Sequence, residues 1–151
     1  MTFSWRQTEQ CADRRIGNTW TYDETTDEYY LHLFAKEQPD LNWENPKVRE
    51  AVHDIMHFWL GRGIDGFRLD VINFISKDQA FPDSQLSPPA GHEYYSAGPR
   101  LHEYLGELGT ILKQYDAFSV GEMPSVREEK EIIKAVASDR GELNMIFHFE
   151  L

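Results

Sequence analysis

The stretch GIDGFRLDVIN, Gly63 to Asn73, constrains the fold of this chain more than any other. Ile64, Phe67, Leu69, Val71 and Ile72 ask for an apolar interior and mark a short buried strand. Arg68 and Asp70 interrupt that run. Residues two apart on a strand point to the same face, so these two charges share one side. An unpaired buried charge costs roughly several kcal/mol. The pair therefore either neutralises itself as a structural ion pair or faces a wet cleft near the end of the strand.

What surrounds the strand decides the kind of sheet. Upstream, NPKVREAVHDIMHFWLGRG predicts a helix. Asn45 stands at its N-cap, Pro46 opens it, Val48, Val52, Ile55, Met56 and Trp59 repeat along it, and Gly61 and Gly63 end it. Downstream, after a Pro-rich loop, Leu101, Tyr104, Leu105, Leu108, Ile111 and Leu112 predict a helix over about 100–115. AFSVGEM predicts a second strand, Ser125 with Glu128 a capping box opening the helix VREEKEIIKAVAS, and LNMIFHFEL a third strand. Strands alternating with helices imply a parallel α/β sheet with helices on at least one face. The first 45 residues differ: TWTYDETTDEYYLHLF predicts one or two short aromatic strands around an Asp/Thr/Glu turn.

In such sheets, ligand chemistry gathers at the carboxyl ends of the strands. Asp70 lies late in the first strand and Glu122 at the end of the second. Strands that are neighbours run about 4.8 Å apart, which would set the two carboxylates about 5 Å from each other. That is close to the spacing of a retaining glycosidase. Arg68 would hold Asp70 ionised. Glu122, whose nearest basic residue in the sequence is Arg127, is expected to sit without a cation, which would suit a general acid. Each residue also has a plainer reading, as a helix cap, a solvated loop residue or half of a structural ion pair.

Other groups are weaker. His53 and His57, four apart on the first helix, are either a partial metal pair or helix-surface residues, and no third ligand is evident. His148 and Glu150 share a face of the last strand. No glycine-rich phosphate loop and no G-x-S-x-G context occur. No metal or cofactor is therefore expected. The net charge of −11 and the lack of a Lys/Arg cluster exclude phosphate-backbone binding as the main role. Cys11 is the single cysteine, so no disulfide framework is expected. Lacking a signal core or an apolar run of about 18 residues, the chain is expected to be cytoplasmic. Aromatic residues, 13% of the chain, suit either sugar binding or an ordinary core.

QPDLNWENPKVRE, GIDGFRLDVINFISK, VGEMP and ELNMIFHFE together resemble the α-amylase superfamily of glycoside hydrolases, in its oligo-1,6-glucosidase and α-glucosidase branch. The resemblance runs from about Gly17 to Leu151. It implies a fragment of a (β/α)8 TIM barrel, with GFRLDV, SVGEM and NMIFHF as its fourth to sixth strands. Residues 46–151 would belong to the catalytic barrel, 17–45 would be the end of a small inserted domain, and 1–16 are unmatched. The resemblance makes Asp70 the nucleophile, Arg68 its partner and Glu122 the acid/base. Gln38 to Asn42 would close the inserted domain over the site. Val71 resembles the form found in enzymes that cut α-1,6 bonds.

The expected partner is an oligosaccharide, with no nucleic acid and no membrane. Trehalose-phosphate hydrolases carry similar motifs, and amylase-like binding proteins share the fold without the carboxylates. A third carboxylate and a His-bearing motif of the family would lie outside this chain. The chain thus reads as truncated, and as inactive by itself.

Overall fold

The computed structural model describes residues 12–13, 17–82, 91–126 and 128–149, so Cys11, Arg127 and Glu150 fall outside the described residues. In chain order the elements are strands β1 (Ala12–Asp13), β2 (Gly17–Asn18), β3 (Trp20–Asp23) and β4 (Glu28–Leu31), helix α1 (Pro46–Leu60) and strand β5 (Gly66–Leu69). A 3-10 turn (Ile72–Phe74), α2 (His92–Tyr95), α3 (Leu101–Gln114), β6 (Phe118–Glu122), α4 (Glu129–Val136) and β7 (Met145–Phe147) follow. The chain divides into two compact units. One comprises Met1–Leu41 with Ala80–Tyr94, the other Asn42–Gln79 with Tyr95–Leu151.

In the first unit, β3 and β4 form an antiparallel hairpin pairing Trp20 with Leu31 and Asp23 with Glu28. Its turn is built as the Asp/Thr/Glu stretch predicts. The Asp23 carboxylate accepts from the Thr25 amide (3.1 Å) and the Thr26 hydroxyl (2.9 Å), and these bonds hold its pKa below the ordinary value. Asp27 takes the left-handed conformation that closes the turn.

The second unit holds a three-stranded sheet in the order β5-β6-β7, parallel throughout. Helix α1 begins where Asn45 Oδ1 accepts from the Lys47 amide (3.1 Å), with Pro46 needing no donor of its own. Leu101, Tyr104, Leu105 and Leu108 of α3 are fully or almost fully buried and make the centre of the core with Met56, Leu60, Met123 and Leu143. Phe67, Leu69 and Ile146 pack onto that core from one face of the sheet. The alternate residues Arg68, Val120 and Met145 take the opposite face, with Met145 half exposed.

Close backbone approach fixes two positions. A Cβ at Gly66 would lie 1.9 Å from the Phe118 carbonyl oxygen, and one at Gly109 would lie 1.9 Å from the Gly141 carbonyl oxygen. Only glycine admits β5 against β6, and α3 against the loop before β7, at these distances.

Helix α4 departs from the expected capping box. It starts at Glu129 with Glu128 at the N-cap position, and Ser125 has a φ of 60°. A residue in the left-handed region cannot supply the extended N-cap geometry, so the turn after Pro124 displaces the helix start. A charged network ties α4 to α3 instead. Both ring nitrogens of His102 face carboxylates: Nδ1 lies 2.6 Å from Glu142 and Nε2 2.8 Å from Glu131. Arg140 donates to Glu142 (2.7 Å) and Lys134 to Glu131 (2.8 Å).

Burial pushes the Glu131 carboxyl up, but the bonds from Lys134 and His102 outweigh it and leave it below the usual carboxylate value. A carboxyl depressed in the fold contributes stability that is complete above its unfolded pKa of about 4.3 and is lost as pH falls through the folded value. Glu131→Gln is therefore expected to flatten the acid limb of stability below about pH 4.3. Thermal melts of both proteins across an acid pH series provide the check. Parallel acid limbs would show that the network carries no linkage.

Candidate active site

Register places the site. Leu69 pairs with Gly121, so the next step along the two strands sets Asp70 beside Glu122. Glu122 in turn pairs with Phe147. All three strands run in one direction, and these residues stand at their carboxyl ends.

Asp70 is the first residue beyond β5 rather than a member of it, which corrects the longer strand expected from the apolar run. Val71 explains the early stop. Its φ of 37° and ψ of 44° are left-handed, a conformation that breaks the ladder and turns the chain into the 3-10 turn. For a β-branched residue this is a strained state, costing about 1–3 kcal/mol.

The Arg68 guanidinium joins the two carboxylates. One of its nitrogens donates to Asp70 Oδ1, and the other donates to Glu122 Oε2 at 2.5 Å. One planar fork can serve two acceptors only when both lie within its reach, so Asp70 and Glu122 are held close together. Their exposures differ. The Asp70 side chain is 72% exposed and open to an incoming molecule, whereas Glu122 is 11% exposed. The Val71 amide also donates to Glu122 Oε2, at 3.4 Å. Beneath this group, the Arg68 guanidinium lies over the Phe147 ring, 5.5 Å from its centroid.

Proximity of Arg68 and Asp70 agrees with the sequence, and so does the neighbouring position of β5 and β6. The expectation that Glu122 lacks a cation does not hold. Arg127 is near in sequence, but Arg68, 54 residues away along the chain, is the group that reaches it. A separate assignment of acid and nucleophile therefore cannot rest on which carboxylate has a basic neighbour.

The two helix histidines take different partners. His53 pairs with Glu107 (3.4 Å) and His57 Nδ1 lies 3.1 Å from the Tyr115 hydroxyl. Among the described residues no group of three His, Cys, Asp or Glu side chains is arranged to hold a metal, and no helix is long and apolar enough to cross a membrane. Sequence reasoning passed over Asn73, which is fully buried behind the site. The available signal was an amide in the apolar run VINFI.

Comparison with known proteins gives a consistent picture. The family model "Alpha amylase, catalytic domain" matches residues 3–151. The α-glucosidase of Schizosaccharomyces pombe is 59% identical over 138 residues, 88% of this chain and 24% of that protein. An oligo-1,6-glucosidase of Halalkalibacterium halodurans is 53% identical over 144 residues, covering 92% of this chain and 26% of that one. Among solved structures, the trehalose-6-phosphate hydrolase of Bacillus licheniformis superposes with a TM-score of 0.83 at 46% identity, over 88% of this chain and 24% of that one. The chain thus spans about a quarter of the length of the relatives it matches.

Proposed function

The chain belongs to the α-amylase family, and from that premise we propose that the protein carrying it is a retaining α-glucosidase acting on terminal α-glucosidic bonds of short oligosaccharides. Its sheet is a segment of the (β/α)8 barrel of that family. The observation that carries the reading is a single guanidinium gripping two carboxylates of unlike exposure at the ends of neighbouring parallel strands.

Asp70, open to solvent, attacks the anomeric carbon. Glu122 gives its proton to the glycosidic oxygen, the bond to the leaving sugar breaks, and glucose remains as an ester of Asp70. Glu122, now a carboxylate, takes a proton from water, and the resulting hydroxide equivalent displaces Asp70. Two inversions give net retention. Arg68 shares its charge between both carboxylates and orients Asp70 for attack. Residues 17–45 are the end of a small inserted domain, and the reaction takes place in the cytoplasm. The 151 residues by themselves turn over no sugar, because three parallel strands close no barrel.

Linkage preference falls to Val71, next to the nucleophile, and the preferred bond is α-1,6. Val71→Thr keeps the branching at Cβ and so leaves the backbone turn intact, replacing only a methyl by a hydroxyl. The ratio of kcat/KM for isomaltose to that for maltose is expected to fall about 10-fold or more. Initial rates on the two disaccharides measure it, with NMR following whether glucose first appears as the α anomer. First release of the β anomer overturns the retaining mechanism, and an unchanged ratio overturns the role of Val71.

A further inference from the structure

We propose that Asn73 is a positioning residue that sets the spacing of Asp70 and Glu122, an inference that rests on reading those carboxylates as the reacting pair. Asn73 lies in the 3-10 turn three residues after Asp70 and has no exposed surface. An apolar side chain would fill that place at no polar cost, whereas a buried amide needs partners. Its Nδ2 donates twice, to the Pro124 carbonyl at 2.7 Å and to Ser96 Oγ at 2.9 Å. Pro124 is two residues beyond Glu122. Ser96 Oγ in turn donates to the Ser125 carbonyl at 3.4 Å, and the Asn73 carbonyl accepts from the Ala97 amide at 2.9 Å.

One side chain thus fastens the loop that carries Asp70 to the loop that follows Glu122, and both to the segment before α3. The amide carbonyl Oδ1 is buried with no hydrogen-bond partner among the described residues. The side chain is therefore kept for its two donors, at the cost of an unsatisfied acceptor.

The strain at Val71 shows why a fastening is needed there. A left-handed β-branched residue persists only where its surroundings over-determine it. Val71 is held on one side by its amide contact to Glu122 and on the other by its carbonyl, which accepts from the Phe74 amide at 2.9 Å. That second anchor belongs to the 3-10 turn, and Asn73 is what ties the turn to the opposite loop. Without the Nδ2 donors, Val71 relaxes, and Asp70 swings relative to Glu122 while both side chains keep their chemistry.

The test uses Asn73→Leu, which is close in size and removes the amide donors without adding a charge, in the protein that carries this chain. Its kcat on isomaltose is expected to fall about 10- to 100-fold, as for a small misplacement of reacting groups, while KM stays within about twofold. Leu105→Ala, a core truncation, is the control that lowers thermal stability and leaves kcat of the folded fraction unchanged. Should Asn73→Leu fail to fold, Ser96→Ala removes one acceptor and is expected to show a smaller fall in kcat in the same pattern.

Wild-type kcat in the folded variants, or a loss matched by Leu105→Ala, overturns the proposal. A second readout does not need turnover: in crystal structures, the separation of the Asp70 and Glu122 carboxylates is expected to change in Asn73→Leu relative to the wild type. If the wild-type protein cleaves no α-glucoside, the carboxylate-pair reading fails. A changed separation would then still support the spacing role, and an unchanged one would end it.

Discussion

Asp70→Asn is expected to abolish hydrolysis of α-glucosides, with kcat falling on the order of 10⁴-fold or more, as when an enzyme loses its nucleophile. The side chain stands open beyond the end of β5, so the substitution creates no cavity and the fold should persist. What disappears is the charge. An amide cannot attack the anomeric carbon, and it leaves Arg68 with Glu122 as its remaining anionic partner. The truncation Asp70→Gly, by contrast, vacates the space of the nucleophile and admits a small anion. Added azide should therefore restore turnover of a nitrophenyl α-glucoside and yield the β-glucosyl azide, the product of a single inversion. Wild-type turnover in Asp70→Asn without azide would remove Asp70 from the mechanism.

Glu122→Gln is expected to divide substrates by leaving group. On isomaltose, whose departing sugar needs a proton, kcat should fall about 10²- to 10⁴-fold. A nitrophenolate leaves without help, so the first step on a nitrophenyl glucoside should be nearly unaffected. The second step still needs a base. Such a substrate should then give a burst of nitrophenol, followed by slow turnover and a protein mass raised by one glucosyl unit. The buried position of Glu122, gripped by Arg68 and by the Val71 amide, makes Gln a close isostere, so folding is a minor concern. Equal losses on both substrates would contradict a proton-donor role.

Much of this architecture was legible in the sequence where one local pattern dominates. The Asn45-Pro46 start and the apolar stripes made α1 and α3 plain, and the alternation of strand and helix made the parallel sheet plain. The Arg68–Asp70 contact followed from a period of two. Four features were not legible, each for a physical reason. The Arg68–Glu122 bond depends on register between strands 54 residues apart, which no window along the chain contains. The left-handed turn at Val71 runs against the preference of a β-branched residue, so local propensity argues for continuing the strand. Ser125 and Glu128 have the residue types of a capping box, yet the conformation of Ser125 moves the helix start to Glu129. Asn73 read as an ordinary interruption of an apolar run because its partners, Ser96 and Pro124, come from other segments.

Gly66 has a consequence at the far end of its strand. It acts as the zero mark of a ruler. Where its backbone meets Phe118, no other residue fits, and from that mark the count to Asp70 is four residues, about 13 Å of extended chain. A shift of one division would turn Asp70 to the other side of the sheet and leave Arg68 measuring against the wrong neighbour. The calibration of a pair of carboxylates is thus kept by an atom that is missing, at the end of the molecule where no chemistry takes place.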